Sequence, residues 1–299
     1  MEAAVPGAPL CLPPHPPGSP PAVRLLPPGT CDAHMHVFGP VARYPLAAVR
    51  TYTPHPVSFA DYRPVMAALG IDRAVLVQPS VYGTDNSALL DTLRQAPGRL
   101  RGVVVVPPSI SDDGLAELHH AGVRGIRVNR RNPGGLALED VALLGRRIAP
   151  LRWHIQLQVE IGQGAALAPL VEGCPVPVVL DHLGLLDPAR PVGDAAFAQV
   201  LALLAAGTLW VKLSAPYRVS RATAPYTDLA PFVEALIACR PDRLLWGSDW
   251  PHTELWRDMP GDLDPGLRLG LDRVPEAIRQ LILVANPGRL YGFEPAERA

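Results

Sequence analysis

The 299-residue chain carries 27 basic and 28 acidic residues, a formal net charge of −1, and 48% hydrophobic residues. A near-neutral chain with no basic run has no electrostatic footprint for nucleic acid or an anionic membrane, so a small-molecule partner is expected. No stretch reaches membrane-spanning length, Met1 to Gly7 lacks the basic and apolar regions of an export signal, and Cys11, Cys31, Cys174 and Cys239 form no Cys-x-x-Cys pair, which points to a globular cytoplasmic protein.

Residues 1–28 hold Pro13, Pro14, Pro16, Pro17, Pro20, Pro21, Pro27 and Pro28 with little periodic hydrophobicity. Proline disfavours both helix and strand ladder, so a mobile or wrapping arm is expected ahead of a single domain over 29–299. The first strand is the apolar run from Thr30 to Phe38, where His34 and His36 stand two residues apart. Alternate strand residues share a face, so both imidazoles aim at one place, as a metal pair or an oxygen-polarising pair would. Taken alone, two satisfied core or surface histidines would give the same pattern.

A loop from Gly39 to Val57 follows, carrying Arg43, Tyr44, Arg50, Tyr52 and His55. Ser58 or Asp61 then starts a helix ending near Gly70, and Arg73 to Gln78 reads as a buried strand. The alternation continues with a helix to Gln95, a strand over 101–106, a helix from Ser111 to Ala121 and a strand over 125–129. Next come a helix over 139–149, a strand over 154–160, a helix to Glu172, a strand over 176–182 and a helix over 195–206. A strand over 209–214, a helix over 231–239, a strand over 244–249 and a helix over 274–284 end the series. Eight apolar strands alternating with helices, with no Gly-x-Gly-x-x-Gly after the first, predict an α/β fold closed as a (β/α)8 TIM barrel rather than an open doubly wound sheet. Chemistry in such a barrel sits at the C-terminal strand ends, which here offer His34, His36, His182 and Asp249 to one place.

The set Asp32-Ala33-His34-Met35-His36, Asp181-His182-Leu183-Gly184, Trp246 to His252 and Asn286-Pro287-Gly288-Arg289-Leu290-Tyr291 resembles the amidohydrolase superfamily in its amidohydrolase-2 branch. Within that branch the chain is similar to 2-pyrone-4,6-dicarboxylate lactonases and related lactonases, through His34 to Pro40, Tyr52-Thr53-Pro54, Gly83 to Asn86, Ser109 to Asp112 and His120 to Asn129. The resemblance covers essentially everything after the proline arm. It implies a hydrolase of aromatic catabolism that opens a carboxylated lactone, with Asp249 as general base and His34, His36 and His182 polarising the carbonyl.

The residues themselves leave two chemistries open for the histidines, ligation of a divalent ion such as zinc or hydrogen bonding to a developing oxyanion. Metal-binding members of the superfamily add a histidine ending strand 5 or a bridging lysine near strand 4. Here those places hold Gln158 and Arg127 with Asn129. No metal is therefore expected, although His34, His36, His182 and Asp249 could hold zinc tetrahedrally. Arg127 and Arg218, on different βα loops, are candidate clamps for substrate carboxylates, with Arg130 or Arg131 as a third cation. Two guanidinium groups over one cavity predict at least one carboxylate on the substrate, two being the fuller expectation, or a sulfonate in place of one. Tyr52, Ser80, His252 and Gln158 complete the candidate binding set.

Three positions depart from the lactonase pattern: Gln158 replaces a tyrosine, Leu185 an arginine and Glu254 an amide. They leave the substrate open among sugar-acid and muconolactone-type lactones. The competing readings are a metal-dependent decarboxylase, a lactone isomerase using the same base, and a non-catalytic barrel binding an acidic metabolite. Lys212, with nothing beside it in sequence to suggest a depressed pKa, is expected to be structural. His119 and His120 are expected to be solvent-exposed on a helix away from the site.

Overall fold

The computed structural model describes residues 8–14, 26–133, 135–163, 167–256, 271 and 274–293. Eight parallel strands follow one another in sequence order: β1 (Cys31–Met35), β2 (Arg73–Val77), β3 (Leu100–Val104), β4 (Val123–Asn129), β5 (His154–Gln158), β6 (Val178–Leu180), β7 (Leu209–Ser214) and β8 (Leu244–Gly247). The ring closes where Asp249 N donates to His34 O and His36 N donates to Trp250 O, both at 2.8 Å. The fold is the (β/α)8 barrel that the apolar runs predict. Its strands are buried almost throughout, which is why they lack the alternation of a half-exposed sheet.

Between the strands run α1 (Phe59–Leu69), α2 (Ser87–Leu93), α3 (Asp112–His120), α4 (Asp140–Ile148), α5 (Leu167–Glu172), α6 (Ala195–Ala206), α7 (Pro216–Val219) and α8 (Ala230–Cys239). Their bounds follow local chemistry. Ser58 N donates to Asp61 Oδ2 at 2.7 Å before α1, left-handed Gly70 (φ 78°) ends it, and Ser111 Oγ accepts from Gly114 N at the start of α3. The last helical stretch, α9 (Glu276–Gln280) and α10 (Asn286–Tyr291), is joined by a π-helical turn over Leu281–Ala285.

β1 carries a bulge that decides where its side chains go. Asp32 pairs with Ala74 but Met35 with Leu76, three steps against two. The extra residue lets Asp32 accept from Tyr62 Oη of α1 at 2.5 Å and from Ser248 N at 2.9 Å, while His34 and His36 face across the barrel.

The opposite end is plugged by the end of α10. Leu290, Tyr291 and Phe293 pack with Cys31, Ala33, Val75, Val103 and Leu245. Asn286 Nδ2 donates to the carbonyls of Pro241 and Leu244, at 2.8 Å each, so the Asn-Pro-Gly-Arg motif anchors this plug. His154, at the start of β5, lies 5.2 Å edge-to-face from Tyr291 in this floor. Burial, aided by the charge of Lys212, holds its imidazole down to about 3. An unfolded chain protonates its histidines near 6.5, so stability is full above that pH and falls as acidification approaches the folded value. Between pH 7 and pH 5 this ring alone should cost on the order of 2 kcal/mol. Urea denaturation of the wild type and His154→Gln at both pH values measures it; equal acid losses in the two proteins would assign the effect to other groups.

Part of the proline arm is in place. Thr53 N donates to Pro9 O at 2.8 Å, Cys11 N donates to Thr53 O at 2.9 Å, and Glu254 N reaches the buried Cys11 Sγ at 3.4 Å. Leu10 therefore forms one isolated parallel bridge with Thr53, and among the described residues of the arm there is no strand. Pro9 takes part only through its carbonyl, the one backbone hydrogen-bonding group a proline keeps. Residues 1–7 and 15–25 of the arm lie outside the described residues. Among the described residues no helix is long and apolar enough to cross a membrane.

Candidate active site

The four expected residues meet at the C-terminal mouth. Asp249 Oδ1 stands 3.5 Å from His34 Nε2, 3.5 Å from His36 Nε2 and 3.8 Å from His182 Nε2, with all four side chains essentially buried. His182 and Asp249 lie just past the ends of β6 and β8 rather than within them, at φ 52° and 60°. Left-handed backbone at non-glycine residues costs energy, and here it turns both side chains onto the same point.

The other oxygen of Asp249 is fully engaged, because Oδ2 accepts from Tyr217 Oη and from Arg218 Nε at 2.9 Å. Burial would raise this carboxyl, but Arg218 and the surrounding histidines hold it well below the usual carboxylate range, so it stays ionised. Oδ1 has no hydrogen-bond partner, and neither has His34 Nε2.

The second nitrogen of each imidazole fixes what the first can do. His36 Nδ1 donates to Val77 O at 2.7 Å, which holds the ring with its Nε2 toward Asp249. His182 Nδ1 meets Ser214 Oγ at 2.8 Å, a hydroxyl able to donate and so to leave the proton on Nε2. His34 Nδ1 stands between Lys212 Nζ at 3.3 Å, a donor, and Asp181 Oδ1 at 3.4 Å, an acceptor, so these two partners favour opposite tautomers. Burial pushes His182 down to about 4 and, with the Lys212 charge, pushes His34 well below its ordinary value. Both rings are neutral.

Lys212 is a site residue that the sequence did not reveal. Fully buried, it donates to Gln156 Oε1 at 2.7 Å and lies 3.5 Å from Asp181 Oδ1. Burial lowers its ammonium to about 8 against the opposing pull of Asp181, which corrects the expectation of an unperturbed structural lysine. Asp181 is held well below the carboxylate range by Lys212 and His34 despite its burial. The one available signal was a lysine inside an otherwise apolar strand, Leu209 to Ser214.

A small pocket opens above Asp249, lined among others by His36, Tyr52, Ser80, Arg127, Gln158, Arg218 and Glu254. Arg127 NH2 donates to Gln158 Oε1 at 2.5 Å and NH1 to Gln78 O at 3.0 Å. Arg218, expected to face substrate carboxylates, is turned onto Asp249, Glu254 and Thr253. His252 packs edge-to-face on Tyr217 (5.6 Å) rather than lining the cavity, and Arg130 and Arg131 are exposed outside the lining. His120 is exposed as expected, whereas His119 is half-buried and accepts from Trp153 Nε1 at 3.0 Å.

Two groups of three side chains are spaced closely enough to hold a small cation, His34 with His36 and Asp249, and His34 with Asp181 and His182. The donor set therefore fits a divalent metal such as zinc.

A barrel with such histidines and a carboxylate at its mouth defines a hydrolase-type site, and the amidohydrolase family model matches residues 31–293. The chain belongs to the amidohydrolase family. It is 36% identical over 298 residues to 4-sulfomuconolactone hydrolase of Hydrogenophaga intermedia, covering 97% of each chain. It is 38% identical to 2-pyrone-4,6-dicarboxylate hydrolase of Comamonas testosteroni over 283 residues, 89% of this chain and 91% of the other. A crystal structure from Agrobacterium tumefaciens, 28% identical, superposes with a TM-score of 0.80 over 91% of this chain and 98% of that one.

Proposed function

We propose that the protein opens the ring of an anionic lactone by addition of water, with Asp249 as general base. The observation that carries this reading is Asp249 Oδ1, a buried and ionised oxygen without a hydrogen-bond partner, faced by three imidazole Nε2 atoms. The relatives named as hydrolases of a muconolactone and a pyrone dicarboxylate supply the substrate class.

In this reading a water beside Oδ1 gives its proton to Asp249 as its oxygen bonds to the ring carbonyl carbon. The carbonyl π pair moves onto oxygen, where His34 and His182 meet the developing charge. His36 Nε2, 3.5 Å from Oδ1, closes the third side of the place the water takes. Collapse of the adduct breaks the bond to the ring oxygen, which takes the proton back from Asp249 and leaves a carboxylic acid and a hydroxyl.

A divalent ion on His34, His36, His182 and Asp249 would supply Lewis-acid polarisation and a more acidic water. We infer that the reaction runs without one. Gln158, where metal-binding relatives place a histidine, is occupied by the Arg127 guanidinium. Lactone opening should therefore survive exhaustive chelation of the purified protein. Activity lost to the chelator and restored by zinc or manganese would overturn metal independence.

A further inference from the structure

The charged lining of the cavity is balanced, Arg127 and Arg218 against Asp249 and Glu254. The two arginines are not equivalent. Arg218 has work at every nitrogen: Nε donates to Asp249 Oδ2 at 2.9 Å, NH1 to Glu254 Oε2 at 2.9 Å, and NH2 to Thr253 O at 2.6 Å and Thr253 Oγ1 at 2.9 Å. Glu254 is itself held, since its Oε1 accepts from Asn132 Nδ2 at 3.1 Å and from Thr51 Oγ1 at 3.3 Å. Arg127, buried at 4% exposure, donates NH1 to Gln78 O and NH2 to Gln158 Oε1 and lies 3.5 Å from Asp181 Oδ2, but unlike Arg218 it makes no close carboxylate hydrogen bond and its Nε has no hydrogen-bond partner.

We propose that Glu254 sets the charge of the substrate: by pairing with Arg218 it leaves Arg127 as the anion-reading cation of the cavity and selects a lactone bearing a single anionic group. The proposal rests on the lactonase reading and deepens it. A second carboxylate brought up to Arg218 would meet Glu254 and Asp249 in a pocket shielded from water, where like charges repel strongly. Arg218 cannot turn to it without releasing the general base. It is a positioning residue for Asp249, and Glu254 is the residue that keeps its charge from the substrate. The sequence carries the mark of this, a carboxylate where the lactonase pattern has an amide.

The test compares 2-pyrone-6-carboxylate with 2-pyrone-4,6-dicarboxylate in turnover, and benzoate with isophthalate in calorimetric binding, for the wild type and Glu254→Gln. The wild type should favour the monoanion in both assays. Glu254→Gln should move both ratios toward the dianion by about tenfold or more, the size of one charge-assisted contact. A wild-type preference for the dianions, or ratios unmoved in the variant, overturns the proposal. If neither pyrone is opened but the binding ratios behave as stated, the charge assignment stands and the lactonase reading falls. Should Glu254→Gln fail to fold, a wild-type preference for isophthalate over benzoate is by itself sufficient to overturn it.

Discussion

Asp249→Asn should lower turnover by at least about a hundredfold while leaving the thermal unfolding midpoint close to that of the wild type. The amide keeps the shape of the side chain. Its oxygen can still accept from Tyr217 and Arg218, as Oδ2 does now. The group facing the three imidazoles becomes an NH2 that accepts no proton, so the loss should fall on kcat rather than on substrate affinity. Single-turnover kinetics with a lactone substrate separates the two. Near wild-type turnover in the variant would move the base to one of the three histidines facing it.

The second large effect concerns the charge beneath the site. Lys212→Met should destabilise the protein by about 3 kcal/mol, the low end for breaking a buried pair, because it removes the main cation of the fully buried Asp181 and leaves Arg127 NH2, 3.5 Å from Oδ2, as the cation that remains beside it. Gln156 Nε2, which donates to Asp181 Oδ2 at 2.9 Å, offers a neutral partner only. Adding Asp181→Asn should recover much of the loss, since breaking a buried pair costs more than removing it whole. Denaturant midpoints of the two single variants and the double variant measure this; a Lys212→Met loss below about 1 kcal/mol would mean that the network is dispensable.

Those two residues mark where the sequence was readable and where it was not. The apolar runs announced every strand, and the capping chemistry at Ser58, Gly70 and Ser111 placed helix ends to within a residue or two. His34 and His36 could be put on one face because strand periodicity is local. The bulge that sends Asp32 the other way depends on pairing with β2 and has no signature in the run itself. Lys212 read as structural because its neighbours are apolar, and its partner Asp181 is distant in sequence, so the pair exists only once the barrel closes. The same holds for Arg218: position at the mouth was legible, but its engagement by Glu254 depends on how the loop after β8 turns through left-handed residues.

Product analysis in H2(18)O tests the central claim most directly, with NMR and mass spectrometry on muconolactone-type, pyrone and sugar-acid lactones incubated with the purified protein. Hydrolysis at this site predicts a ring-opened acid carrying one labelled oxygen in its new carboxylate, formed by the wild type and at least about a hundredfold more slowly by Asp249→Asn. A rearranged lactone without label would mean that the same residues move an acyl group instead of activating water. No conversion across the panel would contradict lactone opening altogether.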